Sequence, residues 1–225
     1  MSGGALSYER FYNGRTNEWL LRLGDPRTPP ILFVPPLFEE LNRTRALIVA
    51  VMRRVAAEGN GCWLPDLRGT GESLLAVEEV TWDDWRHDVS AAAGHIAKES
   101  GKRPVMASLR GGALIDDGVE AIGWWRFAPA TGAALARDLD RASLTGGAEW
   151  AGYPASPGLR DALRASIAAD VTPLRTVRLE TDAGAADHKV AGPALWRRSE
   201  PGTSAELAEA LADDLIKWSR TCAAS

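Results

Sequence analysis

The residue types that could do chemistry fall in two short stretches of the chain, one with prolines and glutamates and one with glycines. In the glycine-containing stretch, Ser108 could attack a carbonyl carbon if a general base accepts its proton. Arg110, two residues on, could bind a carboxylate or phosphate group through its planar guanidinium. In the other stretch, Glu39 and Glu40 could transfer protons as an acid/base pair. Covalent hydrolysis, anion binding and proton transfer are therefore the kinds of chemistry open to this sequence.

These stretches must be positioned by the elements around them, and strand and helix patterns alternate along most of the chain. The predicted strands are 19–23, 31–34, 62–64, 104–107, 122–127, 176–180 and 194–198, and the predicted helices are 41–57, 82–100, 113–119, 133–144, 159–167 and 204–220. Thr81 can form a capping box with Asp84, and Gly101 suits the end of the same helix. The alternation predicts one α/β domain over 1–225, with a doubly wound, mostly parallel sheet between two layers of helices.

Composition excludes several classes of protein. The chain has 225 residues, of which 45% are hydrophobic and 25% charged, as in ordinary globular domains. A net charge of -4 offers no general attraction to nucleic acid or to anionic lipid. Two cysteines, Cys62 and Cys222, cannot build a disulfide framework or a cysteine-rich metal site, so we expect no metal and no cofactor.

Targeting signals are absent from the sequence pattern. Residues 1–13 lack the basic start and apolar core of a signal peptide. No apolar run approaches the roughly 18 residues that cross a bilayer. We therefore expect a cytoplasmic protein without a membrane span.

Two turns carry a resemblance to a known family. The stretch 66–73, Asp-Leu-Arg-Gly-Thr-Gly-Glu-Ser, resembles the Asp-x-Arg-Gly-x-Gly-x-Ser loop after the fourth strand of α/β-hydrolases. The stretch 108–112, Ser-Leu-Arg-Gly-Gly, stands where that family has its nucleophile elbow, Gly-x-Ser-x-Gly. The resemblance covers about 19–218 and implies a three-layer α/β-hydrolase fold. Residues 130–170, where the alternation loosens, would be a reduced lid.

The elbow is a sharp turn, so the residues two before and two after its tip must be small. With Arg110 at the tip these are Ser108 and Gly112, whereas with Ser108 at the tip they are Met106 and Arg110. Sterics therefore place Arg110 at the tip. A guanidinium stays protonated and cannot attack a carbonyl.

The other members of a catalytic triad are also weak. Asp182 follows a late predicted strand, as the acid of the family does, but the segment 199–202 after the last predicted strand has no histidine. His188 lies before that strand, and His87 and His95 are expected to face solvent from a helix. Ser108 paired with His188 is the remaining arrangement for a nucleophile and base.

A closer resemblance is to the exosortase A system-associated hydrolases, in particular their second, irregular group. It is carried by 35–43 (Pro-Pro-Leu-Phe-Glu-Glu-Leu-Asn-Arg), by the arginine at the elbow, and by 125–129 and 151–153. This resemblance implies a bacterial cytoplasmic protein associated with exopolysaccharide production and with the sorting of tagged exported proteins. It implies no particular substrate or reaction.

Arg110 has two interpretations. At a helix N-terminus, a guanidinium would favour an anionic ligand. Alternatively, Arg110 forms an internal ion pair with Glu39, Glu40 or Glu200, because an unpaired buried charge is costly. Two glutamates in the loop that would stabilise an oxyanion count against acyl transfer.

Three hypotheses follow. The first is a non-hydrolytic member of the family that binds a small anion or a partner protein; its candidate binding residues are Leu109, Arg110, Gly111, Glu39, Glu40, Asn42 and Glu200. Asn42 is expected to cap or tie its loop as well. The second is an active serine hydrolase or acyltransferase, esterase- or thioesterase-like, that uses Ser108. The third is a structural subunit that forms a homodimer or binds a pathway protein through a tryptophan-bearing surface, with Trp124 or Trp125 as candidates.

Overall fold

The computed structural model describes residues 6–143 and 150–224. One eight-stranded sheet runs through the molecule in the order β1-β2-β4-β3-β5-β6-β7-β8. The strands are β1 Ser7–Tyr12, β2 Asn17–Leu23, β3 Pro30–Val34, β4 Gly61–Pro65, β5 Val105–Leu109, β6 Gly123–Phe127, β7 Leu174–Leu179 and β8 His188–Val190. The pairs β1–β2 and β2–β4 are antiparallel and the other pairs are parallel, so the predicted mostly parallel sheet is confirmed.

Helices cover both faces of the sheet. They are α1 Glu39–Ala57, α2 Trp82–Ser100, α3 Gly132–Ala142, α4 Pro157–Ala165 and α5 Ala205–Ala223. Alternate residues of β3 enter two hydrophobic cores: Ile31 and Phe33 pack with α1 and α5, and Leu32 and Val34 with α2, α3 and α4. The period of two along a strand sends neighbouring side chains to opposite faces.

Local signals fix the ends of α2. The Thr81 hydroxyl accepts a hydrogen bond from the Asp84 N–H (3.2 Å), and the Asp84 carboxylate accepts one from the Thr81 N–H (2.9 Å). Gly101 ends the helix in the left-handed conformation, with φ 71°. The predicted capping box and helix end are both confirmed.

Two predicted elements are wrong. Residues 113–119 do not form a helix; the chain makes a 3₁₀ turn at Arg110–Leu114 and then continues as irregular bends, in which Asp116 is fully buried. Residues 194–198 are not a strand but contain a 3₁₀ turn at Leu195–Arg197. The last strand is β8, which lies earlier in the chain.

The edge strand β1 was not predicted from the sequence. Its six residues bury Phe11 alone, so the strand lacks an apolar run. Of the region predicted as a lid, α3 and α4 pack against each other, and the end of the helix predicted at 133–144 falls outside the described residues. Within the two described ranges, no helix is both long and apolar enough to cross a membrane.

Candidate functional site

The turn after β5 has the geometry of an elbow. Arg110, the first residue after the strand, has a φ of 51°, a conformation that residues other than glycine rarely adopt. A Cβ atom on Gly112 would lie 2.5 Å from the carbonyl oxygen of Val34, and Ser108 is fully buried. Small residues are therefore required on both sides of the tip, as the steric argument expects, and the tip is an arginine.

The Arg110 guanidinium is held by Glu40, at the start of α1. Its Nη2 donates to Glu40 Oε1 (2.9 Å) and its Nε to Glu40 Oε2 (3.2 Å), while Nη1 donates to the Ala128 carbonyl (3.1 Å). The guanidinium also lies 4.6 Å from the centre of the Trp196 ring. Both partners of the ion pair are 12% exposed. Burial raises the pKa of the Glu40 carboxyl, and Arg110 opposes that shift.

The other two carboxylates expected near the elbow do not pair with its guanidinium. Glu39 accepts hydrogen bonds from Asn42 and Tyr153 (3.4 Å each) and lies 3.5 Å from Arg43. Burial, together with Glu39, raises the pKa of Tyr153 to about 12. Asn42 also donates to the Tyr153 hydroxyl (3.1 Å), so it links the first turn of α1 to the segment after α3. Glu200 is exposed and forms no ion pair within the described part of the chain.

Ser108 belongs to a buried polar cluster. Its hydroxyl donates to Asp116 (2.6 Å), and Arg126 grips the same carboxylate through Nη2 (2.6 Å) and Nε (3.0 Å). The side chains of Asp116 and Arg126 are 0% and 4% exposed. Burial raises the pKa of Asp116, and Arg126 opposes the shift. The hydroxyl thus helps to satisfy a buried ion pair.

The expected triad partners of Ser108 lie elsewhere. Asp182 pairs with Arg178 (2.8 Å), and its pKa is lowered because its hydrogen bonds from Gly184 and Arg178 outweigh burial. His188 is exposed on β8. No hydrogen bond joins Ser108, Asp182 and His188 to one another in the residues that the structure describes. A serine triad from these residues is not assembled.

The helix expected to bind an anion behind the elbow is also absent. The 3₁₀ turn that begins at Arg110 has five residues, too few for an appreciable helix dipole. Leu109 is in the core. Gly111 is buried, and a Cβ atom there would lie 2.7 Å from Leu135. The structure therefore lacks the helix N-terminus on which the predicted anion site depends.

A cavity of about 540 Å³ opens beside the ion pair, and Glu40 and Trp196 form part of its wall. We call it the elbow cavity. Its lining residues are Leu37, Phe38, Glu39, Glu40, Arg43, Leu135, Asp138, Leu139, Arg141, Ala142, Ala151, Trp196 and Arg197. Small-molecule sites commonly have this volume, but this lining is more polar than is usual for them, because six of its thirteen residues are charged.

The charges around the elbow cavity are mostly paired. Asp138 pairs with Arg141, and Arg43 lies beside Glu39 and donates to the Trp196 carbonyl (3.1 Å). Arg197 is exposed and has no carboxylate partner among residues 6–143 and 150–224. It is therefore the cation of this lining that is left for a ligand.

Trp196, another residue of the lining, has an unsatisfied donor whose nitrogen atom is itself buried. The residue is 6% exposed, and no acceptor in the described chain receives a hydrogen bond from its indole Nε1–H. A buried donor without a partner is uncommon in proteins. Sequence reasoning missed both Trp196 and Arg197, because the segment was assigned to a strand; the Trp-Arg-Arg run after Pro193 was the available signal.

The two candidate residues of the expected tryptophan-bearing surface, Trp124 and Trp125, lie in the core. Trp124 and Trp125 face opposite sides of the sheet as predicted, but both are buried. All nine tryptophans lie in the described residues, and none of them is exposed. Neither Trp124 nor Trp125 lines the elbow cavity.

Comparison with known proteins defines the class of fold. No protein-family model and no curated protein matches the sequence. Among solved structures, Est1E of Butyrivibrio proteoclasticus, in complex with ferulic acid, superimposes with a TM-score of 0.68 and 12% identity over 96% of this chain and 100% of its own. A predicted CIB-like hydrolase of Thermoplasma acidophilum superimposes with a TM-score of 0.54 and 13% sequence identity. The match covers 97% of this chain and 100% of the hydrolase. The protein therefore has the α/β-hydrolase fold.

Partial matches include two plant epoxide hydrolases, from Vigna radiata and potato, each with a TM-score of 0.44 and with 13% and 23% identity. Each match covers 55% of this chain and 40% of the length of the epoxide hydrolase. The chain thus spans less than half the length of those enzymes.

Proposed function

We propose that this protein is a degenerate member of the α/β-hydrolase fold that binds a small amphipathic anion in the elbow cavity and does not hydrolyse it. The observation that carries the proposal is the ion pair at the elbow. The tip residue, Arg110, has no nucleophilic character, and Glu40 neutralises its charge. The position at which a hydrolase of this fold carries its nucleophile is therefore occupied by an ion pair that cannot form a covalent intermediate.

The anionic group of the ligand would bind at Arg197. Among the described residues that line the cavity, Arg197 is the cation without a carboxylate partner. A carboxylate suits this guanidinium, because its two oxygens can accept a pair of charge-assisted hydrogen bonds from it. This revises the expectation that Arg110 itself receives the anion.

The remainder of the ligand would be apolar. Leu37, Phe38, Leu135 and Leu139 contribute apolar surface to the cavity. Est1E, which shares the fold, holds ferulic acid, an aromatic carboxylic acid. Ferulate is for this reason the first probe to use, as a representative of aromatic carboxylates.

Isothermal titration calorimetry with ferulate tests the proposal. The wild type should bind, and Arg197→Ala should weaken binding by about tenfold, which corresponds to about 1.4 kcal/mol. Arg198→Ala is the matched control, since Arg198 is an exposed neighbour outside the lining, and it should leave the affinity unchanged. Methyl ferulate, which has lost the charge, should bind more weakly than ferulate. An Arg197→Ala affinity equal to that of the wild type refutes the anion site.

The competing function is a serine hydrolase or acyltransferase that uses Ser108. A fluorophosphonate probe forms a stable bond with activated serines, and it should leave the wild type unlabelled. Stoichiometric labelling of Ser108 would establish the enzyme instead. The burial of Ser108 and its hydrogen bond to Asp116 are the reasons for placing this function second.

The resemblance to the exosortase A system-associated hydrolases extends the proposal to a cellular setting. The protein would act in the cytoplasm of an exopolysaccharide-producing bacterium, as a binder of a small anion or of a pathway protein, or as a homodimer. Deletion of its gene should alter the amount or composition of exopolysaccharide, and an unchanged polymer would argue against the setting without affecting the binding site.

A further inference from the structure

A second cluster of ionisable side chains lies where β1 packs against α2. Glu9 comes from β1, and His95 and Glu99 come from successive turns of α2. One potential ligand atom from each of the three lies within 4.8 Å of those of the other two. The spacing of four residues between His95 and Glu99 places them on the same helical face. One imidazole nitrogen and two carboxylates are thus brought together from two elements.

We propose that Glu9, His95 and Glu99 bind a divalent transition-metal ion of the zinc type, which joins the edge strand β1 to α2. Imidazole nitrogen and carboxylate oxygen are both ordinary zinc ligands, and three protein ligands leave a position for water. The site uses no cysteine, so the low cysteine count that argues against a metal in the sequence does not bear on it.

A hydrogen bond orients one of the three proposed ligand side chains in the ion-free protein. The Trp63 indole donates to Glu9 Oε1 (2.9 Å), which orients the carboxylate, and Glu9 Oε2 lies 3.6 Å from Arg22 Nε. His95 Nε2 lies 3.7 Å from the same Glu9 Oε1. The side chains of Glu9, His95 and Glu99 are 22%, 34% and 32% exposed, so an ion can reach them from solvent. Outer hydrogen bonds of this kind commonly orient metal ligands.

Arg22 is the group that competes with the ion. It lies 3.6 Å from Glu9 and 3.5 Å from Glu99, and it also donates to Ser7 (3.3 Å). These separations are long beside the 2.6 Å and 2.9 Å of the buried pairs at Asp116 and Glu40. The two carboxylates together carry one more charge than Arg22 neutralises. An ion can therefore displace Arg22, and Arg22 limits how tightly it binds.

This competition makes a sharp test, because one substitution should strengthen binding while others weaken it. Calorimetric titration of the metal-stripped protein with ZnCl₂ should show one site per chain. His95→Ala and Glu99→Gln should each weaken binding by about tenfold or more. Arg22→Gln should tighten it. His87→Ala is the matched control, since His87 is an exposed histidine of the same helix outside the cluster, and it should leave the affinity unchanged.

Two further measurements keep the result independent of folding. Thermal melts in chelator should show that the variants fold, and added ZnCl₂ should raise the melting temperature of the wild type and of Arg22→Gln but not of His95→Ala. X-ray absorption of the zinc-loaded protein should show nitrogen and oxygen donors without sulfur. The site is refuted if zinc does not bind, if His87→Ala weakens binding as much as His95→Ala, or if Arg22→Gln weakens it.

Discussion

Arg110 and Glu40 form a forked ion pair that ties the tip of the elbow after β5 to the first turn of α1. Arg110 retains the positive φ of an elbow tip while presenting a cation there. Backbone strain of this kind persists only when the surroundings fix it, and here the Glu40 carboxylate, the Ala128 carbonyl and the Trp196 ring surround the guanidinium. The turn that could carry a nucleophile therefore has a structural role instead, because its tip residue connects the turn to α1.

Arg110→Ala is predicted to lower the free energy of unfolding by roughly 3–5 kcal/mol, because it leaves the Glu40 carboxylate buried without its cation. Urea denaturation measures the loss. Arg141→Ala removes an exposed ion pair with Asp138 and should cost less than about 1 kcal/mol. The double variant Arg110→Ala/Glu40→Ala should be less destabilised than the sum of its single variants. Simple additivity would mean that the two side chains do not interact as described.

Arg110→Ser is predicted not to create an esterase. The serine would stand at the tip of the elbow, but none of the described histidines lies in the elbow to accept its proton. Hydrolysis of p-nitrophenyl acetate by this variant should equal that of Arg110→Ala, which has no hydroxyl at the tip. Turnover by the serine variant well above the alanine variant would reveal a general base near the elbow.

The fold could be predicted from the sequence because its signals are local. Alternating apolar segments, the Thr81–Asp84 capping box and the turn glycines each act over a few residues, and their order along the chain leaves few topologies. The position of Arg110 at the elbow tip could also be predicted from local sequence, because it follows from the small sizes of Ser108 and Gly112. The strand β1 could not be predicted, because an edge strand that buries one residue has no apolar pattern.

The partners in the site could not be predicted, because they depend on which way neighbouring side chains point. Glu39 and Glu40 are adjacent at the start of α1, about 100° apart around the axis, so one reaches the elbow and the other reaches Asn42. The elbow cavity combines residues from α1, α3 and the 3₁₀ turn before α5. Contacts between distant segments of this kind have no signature in a single sequence.

Ser108→Ala is predicted to destabilise the protein without changing ferulate binding. The hydroxyl donates one hydrogen bond to the buried carboxylate of Asp116, and a hydrogen bond to a charged group contributes roughly 1.5–3 kcal/mol. Arg126 still holds that carboxylate, so the variant should fold. Denaturation and calorimetry with ferulate measure the two effects separately. A normal stability together with lost ligand binding would assign Ser108 to the site instead of the core.

Asp214→Asn is predicted to destabilise the protein near neutral pH and progressively less as the pH falls. Burial acts to raise the pKa of Asp214, but hydrogen bonds from Arg175 and Trp125 outweigh it, so the pKa lies below its ordinary value of 3.8. Arg175 Nη2 lies 2.6 Å and Trp125 Nε1 2.8 Å from the carboxylate. A lowered pKa in the folded state stabilises that state above the unfolded pKa, and the stabilisation is lost as the pH falls through the folded value. The amide keeps an acceptor for Trp125 but has no charge for Arg175, so the loss at pH 7 should be about 2 kcal/mol. Urea denaturation of both proteins from neutral pH to pH 3 should show this difference shrinking as the pH falls, and a difference independent of pH would contradict the ionic contribution of Arg175.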